Sequence, residues 1–399
     1  MGRRIPALIN PRLLEWAREE AGYTIEEAAR KAKIAPAKLK EWESKSPGPT
    51  LRQAENLAKL YHRSYSVFSM SELPKTAPLA SEYRRLPNVT PGKESPELRV
   101  ALRQMIYRRT VALDLLEEMG GEPEPFSLAL HLQSDPEETA RELRQRLRVS
   151  PAQQYAWENE FQAWREWRQA TEAFGTLVFQ FPRVTLEEAR GVAILDFPLP
   201  AIGINSKEIP ASKPFTLLHE LVHVGLARAN EERPAISEGR TRQEWRQVEG
   251  YAEAVAGAIL MPAAELQNDD AVRGRSSWSV DDMRRLARRY KVTPLAAATR
   301  LAHLGRLSQN GYQRWRTEWT DFLKKHPPKK PRGFATPPAK ALSRNGLAFT
   351  TLVLQALTTE RVTSVEAARY LDLRYPHVET LRRELAFGRR RPVEADTVE

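Results

Sequence analysis

Phe215-Thr216-Leu217-Leu218-His219-Glu220-Leu221-Val222-His223-Val224-Gly225-Leu226 is an apolar, helix-spaced stretch broken by two imidazoles and one carboxylate. On a helix, residues i and i+4 share a face about 5–6 Å apart, so His219 and His223 can bind one ion together. Glu220 reaches the edge of that face, where it can take a proton from water activated by the ion without itself being a ligand. The chain has only seven His. A chance His-Glu-x-x-His is therefore expected on the order of once in a hundred such sequences.

A catalytic zinc site takes a third protein ligand and leaves its fourth position to water. With no Cys anywhere in the chain, that ligand is not a thiolate, and disulfides and thiol nucleophiles are excluded too. A metzincin spacing would put a His at position 229, which is Ala229, and no other His occurs before His303. A carboxylate is the remaining choice. Glu249-Gly250-Tyr251-Ala252-Glu253 opens an Ala- and Gly-rich helix that Pro262 ends, with Glu249 and Glu253 at i and i+4 in line with Ala256 and Leu260. Carboxylates on an apolar face need a partner, and a cation supplies one.

Around this segment the pattern is mainly helical. Residues 1–71 read as short helices with caps at Asn10-Pro11, Thr24-Ile25-Glu26-Glu27 and Thr50-Leu51-Arg52-Gln53, the helix-turn-helix layout. Residues 72–98, with Pro74, Pro78, Pro87 and Pro91, read as an extended connector. Within 99–322 come helices through Leu102–Leu116 and Leu143–Leu147, and an aromatic stripe at Trp157, Phe161 and Trp164 that reads as core. Strand-like runs follow at Thr176–Phe181, Val192–Leu195 and Ala201–Ile204, just before the His-Glu-x-x-His segment. Residues 323–344, rich in Pro and Lys, read as a linker, 345–388 as a small helix-turn-helix-like unit, and 389–399 as a disordered tail. The expectation is an α+β fold, mainly α with a small sheet.

Phe215, Thr216, His219, Glu220 and His223, followed by Glu249, Ala252 and Leu260-Met261-Pro262, resemble the ImmA/IrrE family of zinc metallopeptidases. Arg190-Gly191, Ile204-Asn205-Ser206, Val292-Thr293-Pro294 and Arg300-Leu301 extend the likeness. The segment from Ile9-Asn10-Pro11 to Val67-Phe68 is similar to the XRE-type helix-turn-helix often fused ahead of such a peptidase. The resemblance implies a zincin-like core in which His219, His223 and Glu249 hold Zn²⁺ and Glu220 is the base. Glu253 stands where the family usually has Asn, and Val255 where it usually has Phe, so Glu253 is kept as an alternative ligand. It also implies a narrow substrate, an XRE-type repressor or antitoxin cleaved in stress response, mobile-element or toxin–antitoxin control. Two His and a carboxylate would also suit non-haem iron, but an oxygenase has no use for Glu220 inside the motif.

The rival reading is a non-enzymatic DNA-binding regulator or antitoxin-type binding protein whose metal is structural, closed by Glu253 as a fourth ligand. Lys+Arg exceed Asp+Glu by 62 − 51 = 11, which favours an acidic partner such as DNA. The recognition helix from Pro36 to Trp42 lacks Arg, Asn and Gln for bidentate base contacts, so Lys33, Lys38, Lys40 and Lys45 are read as phosphate contacts, with protein docking as the other use. Tyr251 and His303 are candidates to stabilise an oxyanion. No apolar run approaches the ~20 residues of a membrane span, and no signal-peptide core follows Met1, so the expected compartment is the cytoplasm.

Overall fold

A computed structural model describes residues 6–45, 47–74, 78–84, 86–275, 277–327 and 335–387. The N-terminal unit packs α1 (Pro11–Glu20), α2 (Ile25–Ala32), α3 (Pro36–Ser44) and α4 (Leu51–Leu60) around Leu14, Leu39, Trp42, Leu57 and Phe68. Its ends follow from local chemistry. Asn10 accepts from the Arg12 N–H ahead of Pro11, and Thr24 with Glu27 forms a complete capping box. Lys33 adopts the left-handed φ of 56° that turns α2 into α3. A buried ion pair, Arg18 Nε to Glu43 Oε1 at 2.8 Å, ties α1 to α3.

Helices α5 (Pro96–Glu118), α6 (Pro136–Arg146), α7 (Pro151–Ala156) and α8 (Glu160–Glu172) lead into strands β1 (Leu177–Phe181), β2 (Gly191–Ile194) and β3 (Ala201–Asn205). The sheet order is β1-β3-β2, with β1 parallel and β2 antiparallel to β3. All three strands are buried along their whole length. Their side chains alternate between two cores, as the period of two requires. Val178, Ala193, Ile202 and Ile204 join the core of α9 (Lys213–Arg228) and α10 (Arg242–Leu260). Leu177, Phe179, Phe181, Val192, Ile194 and Ala201 join Leu98, Leu102 and Met105 of α5 on the other face. Of the expected aromatic stripe, Trp157 and Trp164 are core, with Trp164 fully buried, while Phe161 is half-buried at the start of α8.

The chain continues through α11 (Ala263–Asn268), α12 (Val280–Tyr290), α13 (Pro294–His303) and α14 (Gln309–Lys325) to α15 (Pro337–Asn345), α16 (Leu347–Thr358), α17 (Ser364–Tyr370) and α18 (Tyr375–Phe387). The stretch 323–344 differs from the linker expected of it. Thr336 caps α15 and Pro337 takes its first position, so Pro337 and Pro338, two of the prolines behind that expectation, start a helix. The C-terminal helices cover the sheet: Phe349 of α16 meets Phe179 of β1 edge-on, with ring centroids 5.9 Å apart. Residues 345–387 thus complete a core begun by α5. The 389–399 tail lies outside the described residues. No helix among those described is long and apolar enough to cross a membrane.

Candidate metal centre

Helix α9 crosses the sheet at Gly191, the first residue of β2, where an added Cβ would lie 2.6 Å from Thr216 Cγ2 and 2.8 Å from Glu220 Cγ. Only glycine permits that approach, and it seats Glu220 against the strand, 2% exposed. One turn of α9 apart, His219 and His223 bring their Nε2 atoms to 3.1 Å. Helix α10 packs on α9 and delivers Glu249, whose Oε2 is 3.4 Å from His219 Nε2 and whose Oε1 is 3.6 Å from His223 Nε2. One donor atom from each of these residues lies within 4.8 Å of the others.

These spacings fit a zinc ion. With Zn–N and Zn–O near 2.0–2.1 Å, the edge of a tetrahedron is about 3.3–3.4 Å, close to the 3.1 Å between the two Nε2 atoms and to the distance from each imidazole to its nearer Glu249 oxygen. His223 is prepared for the task by its other nitrogen, since Nδ1 donates to Glu232 Oε2 at 2.7 Å and leaves the Nε2 lone pair facing the cluster. Burial, and then the nearby Arg84 guanidinium, push the His223 pKa down, favouring the neutral ring that a metal requires. Burial would raise Glu249, but the Arg84 guanidinium and both imidazoles hold it well below the usual carboxylate range. Glu232 is likewise drawn down to about 2, against its burial, chiefly by its bond to His223.

Glu253, the alternative ligand, is exposed and stands outside this cluster. The reason is helical geometry. Ala252, Val255, Ala256 and Ile259 form the buried face of α10 with Glu249 at its edge, so the further ~40° that a step of four residues adds carries Glu253 off that face. The other candidates are also elsewhere engaged: the Tyr251 hydroxyl is 3.0 Å from Thr139 Oγ1, and His303 is exposed at the end of α13. In the N-terminal unit, Lys33, Lys38, Lys40 and Lys45 are all exposed around α3, and Lys38 pairs with Glu41 at 2.8 Å.

Two residues of the centre carry no local sequence signal. Glu232 lies nine residues past His223 in an unremarkable polar turn, and only the expectation that a ligating His has a carboxylate partner points to it. Arg84 comes from the 72–98 connector, which the structure packs into the core rather than leaving as a tether: Tyr83, Arg84 and Leu86 are all buried. Arg84 Nε donates to Glu220 Oε2 at 2.7 Å and Nη2 to Oε1 at 2.9 Å, while Nη1 donates to Glu249 Oε1 at 2.8 Å. Against its burial, Arg84 with the two imidazoles keeps the Glu220 pKa below normal.

Two stretches of the chain match known protein families. Residues 172–302, which span the sheet and α9 to α13, match the family model Peptidase_M78, described as the IrrE N-terminal-like domain. Residues 14–68 match the model HTH_3, helix-turn-helix. The chain therefore joins an N-terminal helix-turn-helix to a metallopeptidase-like segment, and the donor cluster falls inside that segment. No curated protein matched the chain.

Proposed function

We propose that the protein is a zinc-dependent endopeptidase that cleaves a specific protein partner, an XRE-type repressor, in the cytoplasm. The observation that carries this reading is the His219–His223–Glu249 cluster, three donors at zinc spacing beside the carboxylate of Glu220. Zn²⁺ bound there would supply Lewis acidity toward a peptide carbonyl and lower the pKa of water. Glu220 takes the proton of the attacking water on its carboxylate and passes it to the leaving amine. Glu232 keeps the His223 ring in the ligating tautomer. A structural metal would need a closed shell, whereas the described donors number three, which favours the catalytic pattern over a purely binding protein. The test is incubation of the zinc-loaded protein with an XRE-type repressor, followed by mass spectrometry. One discrete cleavage, abolished by a chelator, is expected from the protein or from its Arg84→Ala variant; a repressor left intact by both would favour the regulator reading.

The N-terminal unit, on the same reading, brings the peptidase to DNA where such a repressor sits. Lys33, Lys38, Lys40 and Lys45 would meet phosphates, so affinity should fall steeply with salt and vary little with sequence. Replacing Lys38 and Lys40 with Ala should reduce the log–log salt slope by roughly 2. Anisotropy titrations at two salt concentrations read this directly. No binding to duplex at ~50 mM salt would instead assign the unit to protein docking.

A further inference from the structure

Residues 83 and 84 sit as a short strap on the free edge of β2. The Arg84 N–H donates to the Ala193 carbonyl at 3.1 Å, and the Tyr83 carbonyl accepts from the Ala235 N–H at 2.7 Å, so the strap is held between the sheet and the 234–235 turn. The Tyr83 hydroxyl donates to Glu94 at 2.5 Å and pins it from the connector side. From this seat the guanidinium of Arg84, its side chain 3% exposed, enters the cluster. It occupies both oxygens of Glu220 and one of Glu249, and its Nη2 stands 3.4 Å from His219 Nε2.

A guanidinium has donors only and cannot join a metal's shell. Here it answers, as a cation, the same carboxylate and imidazole that a metal would use. A divalent ion placed among those donors would face a positive charge in direct contact with its own ligands, at low local dielectric. The two cations are therefore rivals for one site. Glu220 meanwhile has each oxygen engaged by a strong donor, which weakens it as a base.

We propose that Arg84 holds the peptidase latent: it competes with the metal for Glu249 and His219, withholds Glu220, and yields when the strap leaves the β2 edge. The proposal rests on the metallopeptidase reading given above. The place where release would begin is also visible. The strap lies between α4 and α5, and the N-terminal unit rests on α5 through Lys31–Glu97 at 3.0 Å, Arg103–Glu20 at 3.0 Å, and Arg99 donating to the Glu20 carbonyl at 3.2 Å. Partly exposed ion pairs of this kind are individually weak and screened by salt. An event that engages the N-terminal unit thus acts on the chain that carries Arg84.

The experiment is a zinc affinity measurement by competition with a chromophoric chelator on the full chain, Arg84→Ala, Arg84→Met and His219→Ala. If the docked state holds ~90% or more of the molecules, apparent affinity is reduced about 10-fold or more, so both Arg84 variants should bind zinc at least ~10-fold tighter than the parent. Equal or weaker binding in both overturns the latch. Wild-type affinity in His219→Ala overturns the metal-centre reading, and the latch with it. A second measurement needs no variant and so does not depend on whether Arg84 substitutions fold. Zinc should speed hydrogen exchange of the Arg84 amide at least ~10-fold as its bond to Ala193 opens, and unchanged or slower exchange overturns the proposal.

Discussion

Glu220→Gln should leave the chain folded and able to bind zinc while lowering hydrolysis of its protein substrate at least ~10²-fold, the lower end for loss of a general base. The substitution keeps the shape that fits under β2 at Gly191, where there is no room for anything larger. It removes the group that accepts a proton from the attacking water. The amide can still accept one hydrogen bond from Arg84, and Glu249 still pairs with the same guanidinium at 2.8 Å, so the buried arginine is not left without a charge partner. Zinc binding should hold or tighten, because the carboxylate lost is a partner of the rival cation rather than a donor in the cluster. The readout is cleavage rate beside zinc content for both proteins. An unchanged rate in a zinc-loaded Glu220→Gln protein would refute the proposed mechanism.

What the sequence made legible was whatever depends on local spacing. The His219–His223 pair follows from helical period alone, and α9 does run from Lys213 to Arg228 as an unbroken helix. The three strands lie within a residue or two of the runs read as strands, because short β-branched and aromatic segments bounded by prolines have few other uses. Glu249 was reached by the resemblance. The spacing alone gave equal standing to Glu253, and only the packing of α10 on α9 separates the two. Arg84 and Glu232 were out of reach for a different reason. Each is brought to the centre by tertiary contact, Arg84 from 135 positions before His219. A proline-rich connector looks the same in sequence whether it swings in solvent or threads an active site. The C-terminal helices show the same limit, since nothing near Phe349 announces that it will close the far side of the sheet on Phe179.

The other large effect concerns the metal itself. His223 has no solvent exposure and Glu232 holds its ring, so His223→Ala removes a ligand that nothing nearby can replace. Two donors bind far more weakly than three, and the zinc of His219→Ala or His223→Ala should fall from about one per chain toward zero on dialysis. Zinc K-edge absorption and zinc content of the purified chain, set beside these two variants, show whether His219, His223 and Glu249 hold the ion. The expected result is one zinc per chain, bound by two imidazoles and oxygen ligands at about 2.0–2.1 Å, and absent from both variants. A shell without imidazole, or full zinc retained in both variants, would contradict it.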